Sequence, residues 1–455
     1  MKFLKKYFAY LLIVLIVSIL TWGRIYWYGD LRLSIATGDT HSYISASRAP
    51  LFSWKMFTAE RMFTTNLVYK MANDPVRCPP AVLSLPASGE ELQREISPCF
   101  DKVVTLQNLL SLFGWVFLAV AVAKQINHNF LKISSVILVL LFGYTPQLAE
   151  WDSVLGAEPL AFSFFSITTA LSILMAFHVA RSEHPFQKIS EKILGFCWIT
   201  ALFLWAFTRD AHLYGVLITF VFVAILFFIK KFRDNFQIKI FGIILLGIFI
   251  LGYISAKASY RAGLPLINAI DEYIWPHPAR VEFFREYGMP DRDAPNYLEW
   301  ANKNAFTAYG IFLASHPGFI ATTVWEFRDY FSSDFSQAYF PTDDLKYREQ
   351  LLFIGKSLHL ESYAVYLIDL ILIAVLVIGA FQYRTADRIA WAWLALWMIS
   401  VAAVTLFINF IGDIYNTRRH VMLGVEWLRL FMWIFLMPIL DQYMNRSSEV
   451  VSANS

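Results

Sequence analysis

Residues 103–123 read VVTLQNLLSLFGWVFLAVAVA, an uncharged run set between Asp101-Lys102 and Lys124. Wound as a helix at about 1.5 Å per residue, such a run reaches about 31 Å, the thickness of the hydrocarbon in a bilayer. The same reading applies elsewhere along the chain, to Tyr7–Trp22, Ile133–Pro146, Pro159–Ala180, Ile193–Phe207, Leu213–Ile229, Ile238–Ala256, Tyr363–Phe381, Ile389–Ile411 and Val421–Leu440. About ten membrane-spanning helices predict an all-α integral membrane protein. The tenth carries Glu426 and Arg429, three apart and so on one helical face, which predicts a bundle-facing or mutually neutralised pair.

Composition agrees. The 455 residues are 57% hydrophobic, 17% aromatic and 16% charged, against about 25% charged in soluble domains, and the mean hydropathy is +0.50. A net charge of +3, scattered along the chain, excludes a nucleic-acid partner. Neither zinc-type Cys/His spacing nor a GxGxxG or GxxxxGK[ST] motif is present, so no soluble nucleotide-binding domain is indicated. The first apolar run follows Lys2, Lys5 and Lys6 like a signal peptide, but it leads into Thr21-Trp22-Gly23-Arg24 without a small-x-small cleavage site and reads as a retained anchor.

Lysine and arginine in the short connections set the orientation. With the N-terminus cytoplasmic, the inner segments hold fifteen, from Lys2 to Arg446, and the short outer loops hold three: Arg209, Arg418 and Arg419. Both termini are therefore expected in the cytoplasm and the chain in the plasma (inner) membrane. Two long segments then lie outside, about 23–102 and about 257–362. Their amphipathic stretches, such as Ser53–Met71 and Ala279–Tyr287, suit helices lying on the membrane surface. Residues 1–445 read as one polytopic transmembrane domain, and 446–455 as a disordered cytoplasmic tail. No repeat in halves appears, as a transporter would show, and ionisable residues within spans are confined mainly to the tenth.

Cys78 and Cys99 share the first outer loop, on the oxidising side, where a disulfide is the favoured reading and two free thiols the alternative. Cys197, inside an apolar run, reads as core packing.

Several polar residues stand where chemistry could occur. Asp39, in Ala36-Thr37-Gly38-Asp39-Thr40-His41-Ser42-Tyr43, follows the first span, with His41 and Tyr43 nearby. It suits a general base toward a bound hydroxyl, and equally a helix N-cap. The loop Glu150–Pro159 holds three carboxylates and no Lys or Arg. Asp152 or Glu158 could join Asp39 around a divalent metal or a sugar hydroxyl, whereas Glu158 before Pro159 also suits a helix dipole. Arg209, Arg418 and Arg419, with His420, break the orientation bias at the depth of a lipid phosphate, which arginine's planar fork fits. Pairing with Asp210, Asp413 or Glu426 is the plainer alternative. In the second long loop Trp275, His277, Arg280 and Arg285 offer aromatic faces and cations to the same kind of ligand.

Taken together, this arrangement resembles the GT-C superfamily of polytopic glycosyltransferases, of the protein-mannosyltransferase and aminoarabinose-transferase kind, which take a sugar from a polyprenyl-phosphate carrier. The resemblance rests on one span followed by a long loop with an early acid (Gly38-Asp39 with Tyr43), acids after the third span (Asp152, Gly156, Glu158, Pro159), a second long loop, and Arg418-Arg419-His420 near the last span. It implies Asp39 as catalytic base and Arg209 and Arg419 as ligands of the carrier phosphate, with a polyprenyl-phosphate-linked sugar and membrane lipid as partners. The first loop has a single acid where some members have an adjacent pair, which leaves the metal open. A lipid-linked glycan polymerase or ligase, and a transporter, are the rival classes.

Overall fold

The computed structural model describes residues 2–37, 39–72, 94–96, 99–259, 261, 263–335, 347–412 and 417–453. The chain begins with α1 (Lys2–Tyr28) and the two-residue strand β1 (Leu33–Ser34), then α2 (Thr40–Ser47), α3 (Lys55–Thr58), α4 (Phe63–Ala72) and strand β2 (Glu95–Ile96). Next come α5 (Asp101–Lys124), α6 (Asn129–Tyr144), α7 (Pro146–Ala149) running into a 3-10 turn Glu150–Ser153, α8 (Glu158–Arg181), α9 (Ile189–Ala206), α10 (His212–Leu226) and α11 (Phe236–Ser259). The second long loop folds as α12 (Gly263–Tyr273), α13 (Pro278–Glu286), α14 (Tyr297–Trp300), α15 (Phe306–Ser315), α16 (Pro317–Glu326), a 3-10 turn Arg328–Phe331 and α17 (Arg348–Leu358). Three helices complete the bundle: α18 (Ala364–Tyr383), α19 (Ala386–Gly412) and α20 (Thr417–Ala453).

Eight of these helices are long and apolar enough to cross a membrane. The protein is an all-α polytopic membrane protein. Two expected spans take unexpected forms. The third breaks at Thr145, where Asn129–Tyr144 and Pro146–Ser153 meet at 49°. The cause is local: the residue before a proline avoids helical dihedrals, and Thr145 stands at φ −82, ψ 160. The sixth, α10, is 15 residues long and stops at Leu226, ahead of Lys230-Lys231. At the other end of the chain, α20 continues to Ala453, into the segment expected as a disordered tail.

Burial separates central from peripheral helices. The apolar stretches of α8 and α20 are 83% and 78% buried, whereas those of α1 and α18 are 17% and 22% buried. A lipid-facing helix needs no protein partner for its apolar side chains, and α1 and α18 are of that kind. Cys197 corrects the core-packing expectation, because it is exposed on α9. An apolar run in a membrane protein is as well satisfied by lipid as by protein, so hydropathy does not say which way a residue faces.

Both long loops lie at one end of the bundle. β1 and β2 pair antiparallel, Leu33 opposite Ile96 and Ser34 opposite Glu95. Ile35 makes a parallel bridge to Val154, with Ile35 N donating to Ser153 O at 2.8 Å and Leu155 N to Ile35 O at 3.0 Å. The first loop is thereby tied to the connection between α7 and α8. The second loop packs a core of its own from α12 to α15, around Ile270, Phe284, Trp300 and Phe312. Arg280 and Arg285 belong to that unit: Arg280 donates to Tyr273 O at 2.6 Å and Arg285 pairs with Asp291 at 2.7 Å.

Candidate active site

The connection Glu150–Glu158 presents three acids, and an arginine from a different element meets each. Asp152 pairs with Arg24 of α1 at 3.1 Å, and Glu150 with Arg348 of α17 at 2.5 Å, with Glu150 and Asp152 both buried. Glu158 pairs with Arg419 of α20 at 2.7 Å and with Arg209 at 3.6 Å. An unpaired charge in this setting would cost several kcal/mol, so the three pairs fix where the two long loops and the last span stand. Asp152, expected beside Asp39, is instead held against Arg24.

Asp39 is where this frame opens. It occupies the N-cap position of α2 but makes no capping hydrogen bond with its side chain. Its two oxygens go elsewhere, Oδ1 to Arg61 Nη2 at 3.0 Å and Oδ2 to Arg419 Nη1 at 3.1 Å. Its side chain is 44% exposed, while that of Arg419 is 12% and that of Glu158 is 0% exposed. The N-cap alternative is thus answered at the level of hydrogen bonds. Thr40 stabilises the turn instead, accepting from Thr37 N at 2.8 Å and donating to Leu155 O at 3.0 Å.

Each arginine is pre-oriented. Arg61 donates from Nε to Ser42 Oγ at 2.5 Å and lies over the Tyr43 ring, 4.3 Å from its centroid. Tyr43 in turn stacks on Tyr69 at 5.5 Å. Burial works against the charge of Arg61, but the Asp39 carboxylate, by its charge and its hydrogen bond, helps hold the guanidinium above its ordinary pKa. Burial likewise pushes the Tyr43 phenol up, against the pull of Arg61, so it stays neutral. Arg419 lies in the first turn of α20, where the helix dipole disfavours a cation. Glu158 and Asp39 compensate it. The same dipole, with arginines around it, favours an anion.

Arg209 completes the group. Its Nη2 meets His420 Nδ1 at 3.0 Å, and its Nη1, like Glu158 Oε2, is buried without a hydrogen-bond partner. Asp210, the plainer partner for Arg209, is taken by Arg261, whose Nη2 lies at 3.2 Å from it. Glu426 is taken by Arg429 and His359. Asp413 lies outside the described residues. Gly156 permits the close approach: a Cβ there would stand 2.6 Å from Glu158 Oε2 and 3.5 Å from Arg419 Nη2.

Of the expected site residues, Asp39, Glu158, Arg209, Arg419 and His420 converge, and Tyr43 serves as the platform for Arg61. His41 is exposed on α2, and Arg418 turns away to donate to Asp334 O. Cys99 is disulfide-bonded, while Cys78, its expected partner, lies outside the described residues. Asp39 and Glu158 meet on a shared arginine, and among the described residues no three of His, Cys, Asp or Glu gather as metal ligands. Arg61 was not singled out by sequence. Its signal was weak, a Glu60-Arg61 pair within an aromatic amphipathic stretch.

Over 98% of its length the chain is similar to the oligosaccharyltransferase of Archaeoglobus fulgidus solved in complex with an inhibitory peptide and a dolichol-phosphate, with a TM-score of 0.45, 12% identity and 52% of that chain covered. A second structure of an oligosaccharyltransferase from that organism, tethered with an acceptor peptide containing the NVT sequon, gives a TM-score of 0.37 at 12% identity over 97% of this chain and 51% of the other. The chain spans about half the length of these solved proteins. No family model and no curated protein matches its sequence.

Proposed function

We propose that the chain is a membrane glycosyltransferase that moves a sugar from a polyprenyl-phosphate donor to an acceptor hydroxyl on the extracytoplasmic face, with Asp39 as general base. The observation that carries this reading is the half-exposed Asp39 carboxylate held between Arg61 and Arg419, one oxygen on each. A carboxylate at the surface with two guanidinium groups beside it supplies both halves of a displacement: a proton acceptor and an anion site.

The acceptor oxygen attacks the anomeric carbon while its proton passes to an Asp39 oxygen. The bond from that carbon to the phosphate oxygen breaks, and the electron pair leaves with the lipid phosphate. Arg419 and Arg209 take up the developing charge, the electrostatic contribution that is usually the largest in such a step. Arg61 adds a third guanidinium to the same surface. Before the donor arrives, Asp39 occupies the N–H groups of Arg61 and Arg419. A phosphate competing for those donors releases the carboxylate oxygens toward the acceptor, so donor binding would prepare the base.

The membrane setting supports a donor activated before it reaches this face, and the lysine and arginine bias of the short loops supports the extracytoplasmic placement. The test is transfer from a radiolabelled polyprenyl-phosphate sugar by full-length protein in vesicles. Asp39→Asn, monodisperse and folded as the wild type, is expected to lose transfer. Full transfer by that variant would remove Asp39 from the role.

A further inference from the structure

Three consecutive residues in the first turn of α20 face three ways, since neighbours on a helix stand about 100° apart. Arg418 reaches Asp334 O, Arg419 reaches Glu158 and Asp39, and His420 reaches Arg209. The first two are cations donating to oxygen. The third presents a ring nitrogen to a guanidinium, and only one placement of protons permits that. Arginine carries five donors and no acceptor. In the 3.0 Å contact between Arg209 Nη2 and His420 Nδ1 the arginine therefore donates, and Nδ1 holds a lone pair. The proton of the imidazole sits on Nε2, and the ring is neutral.

Among the described residues, this is the one side-chain hydrogen bond that Arg209 makes. Its Nη1 lies 3.6 Å from Glu158 Oε1, an ion pair without a hydrogen bond. Asp210, next to it in sequence, is held by Arg261. The direction of the Arg209 fork is thus set from α20, 211 residues further along the chain.

A neutral acceptor does what a carboxylate could not. Arg61, Arg209 and Arg419 stand against Asp39 and Glu158, three cations to two anions. An acid at position 420 would orient Arg209 and cancel the surplus charge. Histidine orients the guanidinium and leaves its charge available to an incoming anion. We infer that His420 is a positioning residue of the anion site: its neutral imidazole aims Arg209 at the leaving phosphate and preserves the charge that receives it. This rests on the reading of Arg209 as a ligand of the donor phosphate, and it takes His420 itself out of the groups that touch that phosphate.

The test is binding of farnesyl phosphate, a short prenyl phosphate, to full-length protein in detergent by calorimetric titration, alongside KM and kcat for transfer. His420→Leu offers no acceptor and is expected to bind about tenfold more weakly, the worth of one hydrogen bond to a charged group, with KM for the donor rising and kcat changing less. His420→Asn puts an amide oxygen near the place of Nδ1 and is expected to recover most of that loss. His420→Asp keeps an acceptor but cancels the charge, and is expected to bind more weakly than His420→Asn. Undiminished binding by His420→Leu overturns the inference. So does His420→Asn as weak as His420→Leu, which would mean that the imidazole itself meets the phosphate, or His420→Asp as tight as His420→Asn. The tautomer is checked with no ligand at all. Nitrogen NMR of histidine-labelled wild type is expected to show the His420 Nδ1 unprotonated at neutral pH, its signal assigned by loss in His420→Asn. A protonated Nδ1 overturns the inference whether or not His420→Leu folds. Wild type that binds farnesyl phosphate in this pattern yet transfers no sugar supports the anion site and sinks the glycosyl-transfer reading alone.

Discussion

Two clusters of charged side chains meet α20 two turns apart, one at Arg419 and the other at Glu426 and Arg429. In the second, Glu426 pairs with His359 Nδ1 and with Arg429 Nη1, and His359 Nε2 reaches Thr145 Oγ1 at 3.0 Å. Arg429 Nη2 continues to Ser332 O and Ser333 O. All three side chains are at most 2% exposed. This cluster is closed: it ties α20 to the break after α6 and to both ends of the segment that follows the second loop's core. The first cluster uses the same kinds of group but leaves Asp39 half-exposed and leaves Arg209 Nη1 and Glu158 Oε2 without a hydrogen-bond partner. A satisfied network holds a fold together. An unsatisfied one at the surface has capacity left for a ligand.

The largest effect that would sharpen this contrast is at Asp39. Asp39→Asn is expected to lower transfer by about 10²–10⁴-fold, with the melting temperature in detergent unchanged, as scanning fluorimetry would show. Glu426→Gln should do the reverse. Removing one partner of a buried ion pair costs about 3–5 kcal/mol, so the folded yield and melting temperature fall while transfer per folded molecule persists. A Glu426→Gln protein that is stable and inactive would break the comparison. Arg419→Lys keeps the charge and loses the planar fork. Its KM for the lipid donor is expected to rise about tenfold, the worth of one good charged hydrogen bond, with a smaller change in kcat. The least effect belongs to Gly156→Ala, where the new Cβ would crowd Glu158 Oε2. A shift of a few tenths of an ångström at the arginine is expected to cost less than about tenfold in transfer, read from the same kinetics.

Much of the fold was legible because hydrocarbon thickness imposes a length on the chain that hydropathy reports directly. All ten expected runs correspond to helices, including the third, broken at Thr145, and the short α10. What hydropathy could not report was facing, which is why Cys197 was misplaced. At the site, Arg209 and Arg419 stood out by violating an orientation rule for short loops. Arg61 lies in a long loop, where that rule is silent, and its meeting with Asp39 depends on how α4 packs against α2. Arg24 and Arg348 were hidden for the same reason. Their partners lie 128 and 198 residues away, a distance over which no local pattern operates.

The arginines that balance Glu150, Asp152 and Glu158 are not synthesised together. Arg24 precedes the acids, but Arg348 emerges 198 residues after Glu150 and Arg419 emerges 261 residues after Glu158. At about 5–20 residues per second, Glu158 waits roughly 13–52 s for Arg419, the nearer of its two cations. Throughout that interval Glu158 has only the more distant Arg209, at 3.6 Å, as a counter-charge. Insertion of α20 therefore completes a charge pair as well as the bundle: a polypeptide interrupted before residue 419 has every earlier helix and lacks the nearer of the two arginines that balance Glu158.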